Sequence, residues 1–210
     1  MVSFRAAGSN QSIQSAHDNV KNMKRSEINK TYQEALRCFE SHGWAIPPNP
    51  KWDITDCGLG FDSFIIALIN LAEEPEYCEK LIYCVENKPV PMHCHHLKKE
   101  DIICRWGSFQ VELWAGDPRT TEKGTPFLVK KNGEKISYPL GEVIQLDAGE
   151  RITIDPFVYH SFWSIPPEVI IGEVSTANND LTDNFFVDGK IGRFPEVIED
   201  EPRLIPLVGK

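Results

Sequence analysis

What the chain lacks narrows its setting before any motif is considered. Its 210 residues contain no run of 18 apolar residues, so nothing reads as a membrane-spanning helix. No basic-then-apolar segment opens it, as a secretory signal would. Positive charge is in short supply: 22 Lys and Arg stand against 31 Asp and Glu, a formal net charge of −9. A nucleic acid backbone or an anionic membrane surface is therefore a poor match as partner. The six cysteines (Cys38, Cys57, Cys78, Cys84, Cys94, Cys104) form no Cys-x-x-Cys pair. Such usage fits reduced thiols in a cytoplasmic protein better than a disulfide scaffold. Internal repeats and low-complexity tracts are also missing, and the length suits one domain with a sizeable core.

The chain that remains has a clear order. Residues 1–22 are polar and show no apolar period, so they are read as a leader, disordered or loosely docked and not necessarily native. Met23 is the candidate start, and 23–210 the single domain. Ser26 is expected to cap a helix with an apolar face of Ile28, Tyr32, Ala35, Leu36 and Phe39, ending near Gly43. The Pro-rich segment Ile46 to Trp52 should run extended.

Short β-rich runs then follow: Phe64–Leu71, Glu79–Val85, Ile102–Trp106, Phe109–Trp114, Phe127–Lys130, Glu142–Leu146, Arg151–Ile154 and Val169–Val174. Turn residues at Asn87 to Pro89, Gly116 to Pro118 and Asn132-Gly133 separate them, the last predicting a tight hairpin. The pattern points to an all-β sandwich or barrel, with a jelly roll as a natural fit. From Asn178 the chain is richer in Asp, Glu, Pro and Gly, a loop-rich extension expected to fold over the barrel mouth.

Chemistry concentrates in Pro91-Met-His93-Cys-His95-His96-Leu-Lys98-Lys99-Glu100, followed by Gly107. In a strand, side chains at i and i+2 share a face, so His93 and His95 aim at one point while Cys94 turns away. A bend can bring Glu100 to the same point. His160, in Pro156-Phe-Val-Tyr-His160, can add a third imidazole from a later strand. Three imidazoles and a carboxylate make a mixed shell for a divalent metal and leave one or two positions open. A His-x-His pair alone is common as a structural or exposed feature; the added Glu, Gly and second segment make the set specific.

Around this shell, Lys98 and Lys99 read on their own as solvated lysines. Gln110 and Glu112 alternate along one strand, so one face of it can look into the cavity. Glu173 sits inside an apolar strand, where a carboxylate either turns to the outer face or needs a partner or a task. Arg193 and Glu196, read alone, are surface charges.

The first segment resembles the first motif of the cupin superfamily throughout: His-x-His, four residues, Glu, six residues, Gly. The second departs from its counterpart, with Val158 where a glycine is usual and spacings around Pro156 that differ by one residue. From about Met23 onward the chain resembles the bacterial D-lyxose isomerases. The features that carry the likeness are the paired lysines before Glu100, Gly172-Glu-Val-Ser175, Asp183-Asn184 and Ile191-Gly-Arg-Phe-Pro-Glu196.

This resemblance implies a cupin jelly-roll barrel and an aldose–ketose isomerase working through an enediol on D-lyxose and D-xylulose. D-mannose and D-fructose are implied too, because D-lyxose and D-mannose share their configuration at C2, C3 and C4. It implies His93, His95, Glu100 and His160 as ligands, and Lys98 in contact with substrate. Glu173 is the first choice of base and Glu196 the second, with Arg193 and Gln110 as substrate contacts. Mn2+ best suits hard sugar oxygens with a nitrogen-rich shell; Zn2+, Co2+ and Fe2+ are alternatives. A homodimer is also expected. Two rivals stay open: an Fe(II)-dependent dioxygenase and a non-catalytic sugar-binding cupin.

Overall fold

The computed structural model describes residues 21–85, 88–176, 178–192 and 195–208, and all structural statements below concern these. The elements run β1 (Met23–Lys24), α1 (Arg25–Ser41), β2 (Lys51–Thr55), β3 (Ile66–Glu73), β4 (Tyr77–Val85), β5 (His93–Cys94) and β6 (Glu100–Trp106). There follow β7 (Ser108–Trp114), β8 (Pro126–Lys131), β9 (Glu134–Pro139), β10 (Val143–Asp147), β11 (Arg151–Ile154), β12 (Tyr159–Ser164) and β13 (Glu168–Thr176). The last two are β14 (Phe185–Phe186) and β15 (Val197–Ile198).

Two sheets face each other as a jelly-roll-like sandwich, so the all-β expectation holds. The smaller has the order β10-β7-β12-β5-β14, and the larger β2-β3-β4-β13-β6-β11-β8-β9. Their inner faces supply one core, with Phe64, Ile82, Ile102, Phe109, Val111, Ile152, Phe162 and Ile171. The eight expected strands are all present: β4, β6, β7 and β8 run one or two residues longer, β13 three longer, β11 as expected, and β3 and β10 are shifted by two residues and one. Asn132 (φ 53°) and Gly133 (φ 89°) form the β8–β9 hairpin turn, whose two positive φ values match the right-handed twist of the strands. At the β6–β7 corner Gly107 (φ 79°) has no substitute: a Cβ there would lie 2.9 Å from the Glu168 carbonyl oxygen.

Helix α1 explains why β4 is buried on both faces. Ile82 and Cys84 point between the sheets, while Leu81 and Tyr83 join Ile28, Ala35, Phe39, Trp52 and Ile170 in a second core beneath the helix. Each Leu or Ile buried this way contributes about 1.5–3 kcal/mol. The helix does end just before Gly43 (φ 79°). Its start differs from the expected Ser26 cap. The helix begins at Arg25, and the Ser26 backbone N–H and hydroxyl both donate to the Asp200 carboxylate, at 2.9 and 2.7 Å. A carboxylate from the far end of the chain thus satisfies one first-turn donor and complements the helix dipole, while the Lys24 N–H donates to Glu27.

The expected leader lies outside the described residues up to residue 20, as does Asn87 of the expected turn. Among the described residues, the Lys21 N–H donates to the Gly58 carbonyl, and Met23 is buried while pairing in parallel with Val197. The tail from Asn178 does return to the barrel. Phe185 and Phe186 pair with Cys94 and His93, making β14 the edge of the smaller sheet next to the histidines.

Candidate metal centre and active site

Strand pairing assembles the site from distant segments. His93 lies directly across from His160 in the β5–β12 register, and Glu100 opens β6 next to Ser175 of β13. One ligand atom from each of His93, His95 and His160 lies within 4.8 Å of the others, and all three residues are buried. Cys94 is buried but lies outside this group, as strand alternation requires.

The histidines are oriented by backbone. Each Nδ1 faces a carbonyl oxygen: Pro91 at 2.8 Å for His93, Asp183 at 2.5 Å for His95 and Val158 at 3.1 Å for His160. A carbonyl only accepts, so each Nδ1 carries a proton, and in the neutral ring Nε2 is the atom left with the lone pair. Burial, with His160 and His95 adding to it, pushes the His93 pKa well below its ordinary value. Burial also lowers His95, to about 4, against the opposing pull of Glu100. Imidazoles held neutral in this way are the form that binds metal.

Glu100 provides the test of fit. Its Oε1 is buried 3.0 Å from His160 Nε2 and 3.7 Å from His95 Nε2, yet accepts no well-formed hydrogen bond. Neutral rings protonated at Nδ1 would set lone pairs against this oxygen, which fits the missing hydrogen bond. A desolvated carboxylate oxygen facing lone pairs has no stabilising partner of its own, and a divalent cation between them would satisfy all. Burial alone would raise the Glu100 pKa. The Lys98 ammonium outweighs it and holds the carboxyl well below the usual range.

Lys98 and Lys99 separate sharply. Lys98 is 4% exposed, and its Nζ sits 2.7 Å from Glu100 Oε2 and 2.9 Å from Glu173 Oε1. Burial opposes its charge, but the two carboxylates more than compensate and raise its pKa, so it stays an ammonium. Lys99 pairs with Asp155 on the surface, 2.7 Å away. Glu173 faces inward: burial favours its neutral form, yet Lys80 and Lys98 keep it ionised.

Lys80 is a site residue that sequence reasoning missed. Directly opposite Glu173 on β4, it reaches Glu173 Oε1 at 3.5 Å, Asp180 Oδ1 at 3.3 Å and Asn178 Oδ1 at 2.8 Å. The available signal was a lysine inside the run Glu79 to Val85, the counterpart of the carboxylate inside β13. Asp180, Asn184 and Phe186 of the tail also line the cavity, whose opposite wall is apolar (Phe64, Ile66, Leu68, Phe162).

Other expected positions lie elsewhere. On β7 the inward set is Phe109, Val111 and Leu113, so Gln110 and Glu112 face out. Gln110 accepts from Trp163 Nε1 at 2.8 Å and Glu112 from Trp114 Nε1 at 2.7 Å, outside the cavity. The expectation of Gln110 in the cavity is corrected by that facing: a polar residue between core-facing neighbours must point away from the core. Glu196 is exposed beside Arg25, Glu199 and Arg203, its carbonyl receiving the Met23 N–H, and it too is outside the cavity. Arg193 lies outside the described residues.

Known proteins are similar to this chain over most of its length. The family model described as D-lyxose isomerase matches residues 51–210. A D-lyxose/D-mannose isomerase of Escherichia coli O157:H7 is 30% identical over 220 residues, covering 88% of this chain and 96% of that protein. One from Serratia proteamaculans is 40% identical over 129 residues, 60% of this chain and 56% of its own length, so the matched stretch spans little more than half of that relative. Among solved structures, L-ribose isomerase of Cellulomonas parahominis with L-ribose has a TM-score of 0.64 at 18% identity, covering 85% of this chain and 100% of that one. At that identity the likeness concerns the fold. With a family model spanning 51–210 and a 30% identical relative spanning 88% of the chain, this protein belongs to the D-lyxose isomerase family.

Proposed function

We propose that this protein is a metal-dependent aldose–ketose isomerase interconverting D-lyxose with D-xylulose and D-mannose with D-fructose, with residues 23–210 acting as one domain. The observation that carries the reading is the buried ammonium of Lys98 between Glu100 and Glu173, beside three imidazoles with free Nε2 atoms. His93, His95, His160 and Glu100 would hold the cation, Mn2+ by preference, which supplies Lewis acidity toward the sugar carbonyl.

The protein's own groups account for the proton movements. Isomerisation breaks the C2–H bond of the open-chain aldose, and its electron pair forms the C1–C2 double bond as negative charge develops on O1. Lys98 supplies a fixed positive charge in a dry site, worth most when that charge is fully developed. Glu173, kept ionised by Lys80 and Lys98, is the cavity carboxylate available to take the C2 proton and return it to C1. The hydroxyl proton leaves O2 as the ketone forms there, and O1 ends protonated. The apolar wall can pack against the C–H face of the sugar, while Asn184 and Asp180 offer polar contacts.

A cytoplasmic homodimer remains part of this proposal. The compartment is supported by six free buried thiols, which suit a reducing environment, and the dimer by the family likeness. The test is a ketose assay on D-lyxose, D-mannose and other pentoses and hexoses, with chelator-treated protein before and after Mn2+ addition. Metal-restored ketose formation is expected. Oxygen uptake without ketose, or sugar binding without turnover, would replace this reading with one of its rivals.

A further inference from the structure

The described tail does more than cover the cavity, and one residue links it to the centre. Asp183, 4% exposed, accepts from three successive backbone N–H groups: His96 on Oδ1 at 2.8 Å, Leu97 on both oxygens at 3.2 Å and Lys98 on Oδ2 at 3.0 Å. Its backbone carbonyl accepts the Nδ1–H of His95 at 2.5 Å. Two residues further on, Phe185 stacks on His96 with ring centroids 3.6 Å apart, and Phe186 pairs with His93.

We infer that Asp183 is the positioning residue of the metal centre, clamping the 95–98 turn from the C-terminal tail. Three amides converging on one carboxylate fix the turn that runs from His95 to Lys98, with charge-assisted bonds stronger than neutral ones. The carbonyl of the same residue sets the tautomer that exposes His95 Nε2. A single residue therefore couples ligand orientation to the placement of the catalytic ammonium, two tasks that otherwise need separate partners. It also links the tail that brings Asp180 and Asn184 into the cavity to the loop that carries the metal side. A purely structural turn clamp predicts lower stability alone; a positioning role predicts altered metal affinity in protein that is still folded.

The inference rests on the metal reading and not on the sugar, so its test reads metal directly. Titration calorimetry of metal-free protein with Mn2+ is compared for the parent, Asp183→Asn and Asp183→Ala, with melting temperature measured alongside. The Asn variant keeps the volume and one acceptor oxygen but sets an amide N–H2 against backbone donors. It should remain folded and bind Mn2+ about 10- to 100-fold more weakly, the usual effect of removing a partner of a metal-ligating histidine. At saturating Mn2+ its kcat on D-lyxose should stay low, because Lys98 is still misplaced, while KM changes little. A folded Asp183→Asn with Mn2+ affinity within twofold of the parent overturns the inference. Long-range 15N NMR of the metal-free parent gives a second, fold-independent check: His95 protonated at Nε2 also overturns it. A parent that binds no Mn2+ sinks the metal reading itself and is distinguished by that result.

Discussion

Three neighbouring strands of the larger sheet each carry two kinds of inward residue. On β13, Val169 and Ile171 enter the apolar core, while Glu173 and Ser175, on the same face, are polar. On β4 the inward set runs from Cys84 and Ile82 to Lys80, and on β6 from Cys104 and Ile102 to Glu100. One end of the sandwich interior is thus oil and the other a chain of buried charges, Glu100–Lys98–Glu173–Lys80, that ends at half-buried Asp180. A buried ion pair is often no more stabilising than well-packed apolar side chains of similar volume. The charged end is better explained by chemistry than by folding, and each end should fail differently when altered.

The largest effect is expected at His95. His95→Ala should lose most bound metal and essentially all turnover, read by elemental analysis and the ketose assay; full occupancy with retained activity would remove it from the ligand set. Next is Lys98→Ala, expected to lower kcat on D-lyxose by about 10² or more with metal still bound. Near-normal kcat in that variant would reduce the charged chain to a structural network.

At the apolar end, Ile171→Ala should cost about 2–5 kcal/mol of stability by urea unfolding and leave kcat of the folded protein nearly unchanged. Loss of catalysis without loss of stability there would break the division between the two ends. The metal-free protein should also weaken as pH falls. His95 binds a proton near pH 6.5 when unfolded but only near 4 when folded, so the unfolded state takes up more protons in between. Stability should drop by up to about 1.4 kcal/mol per pH unit across that window, and added Mn2+ should flatten the decline. A flat profile without metal would mean that His95 is not held neutral. The smallest effect is Lys99→Ala, whose surface pair with Asp155 should leave kcat within about twofold, since an exposed ion pair contributes little.

Local rules made part of this molecule legible in its sequence. Alternation alone placed His93 and His95 on one side and Cys94 on the other, and Asn132-Gly133 named its own turn, because each depends only on neighbouring residues. The apolar period of α1 likewise showed its face. Gln110 shows where such rules stop: alternation separated it from Val111 but could not say which of the two faced inward, because that depends on where the opposite sheet lies. Lys80 and Glu173 are 93 positions apart and became partners only when β4 and β13 paired in register. Asp200 displaced the Ser26 cap for the same reason.

The sequence by itself determined the all-β class and helix α1, and it pointed to the histidine–glutamate set, since short-range periodicity and spacing carry all three signals. Only the tertiary structure decided that Lys98 is buried and Lys99 exposed, that Lys80 holds Glu173 ionised, and that Asp183 clamps the metal-side turn. Those outcomes depend on which desolvated charges meet across the fold. A buried charge must find its partner wherever the packed chain brings one, at any separation along the sequence.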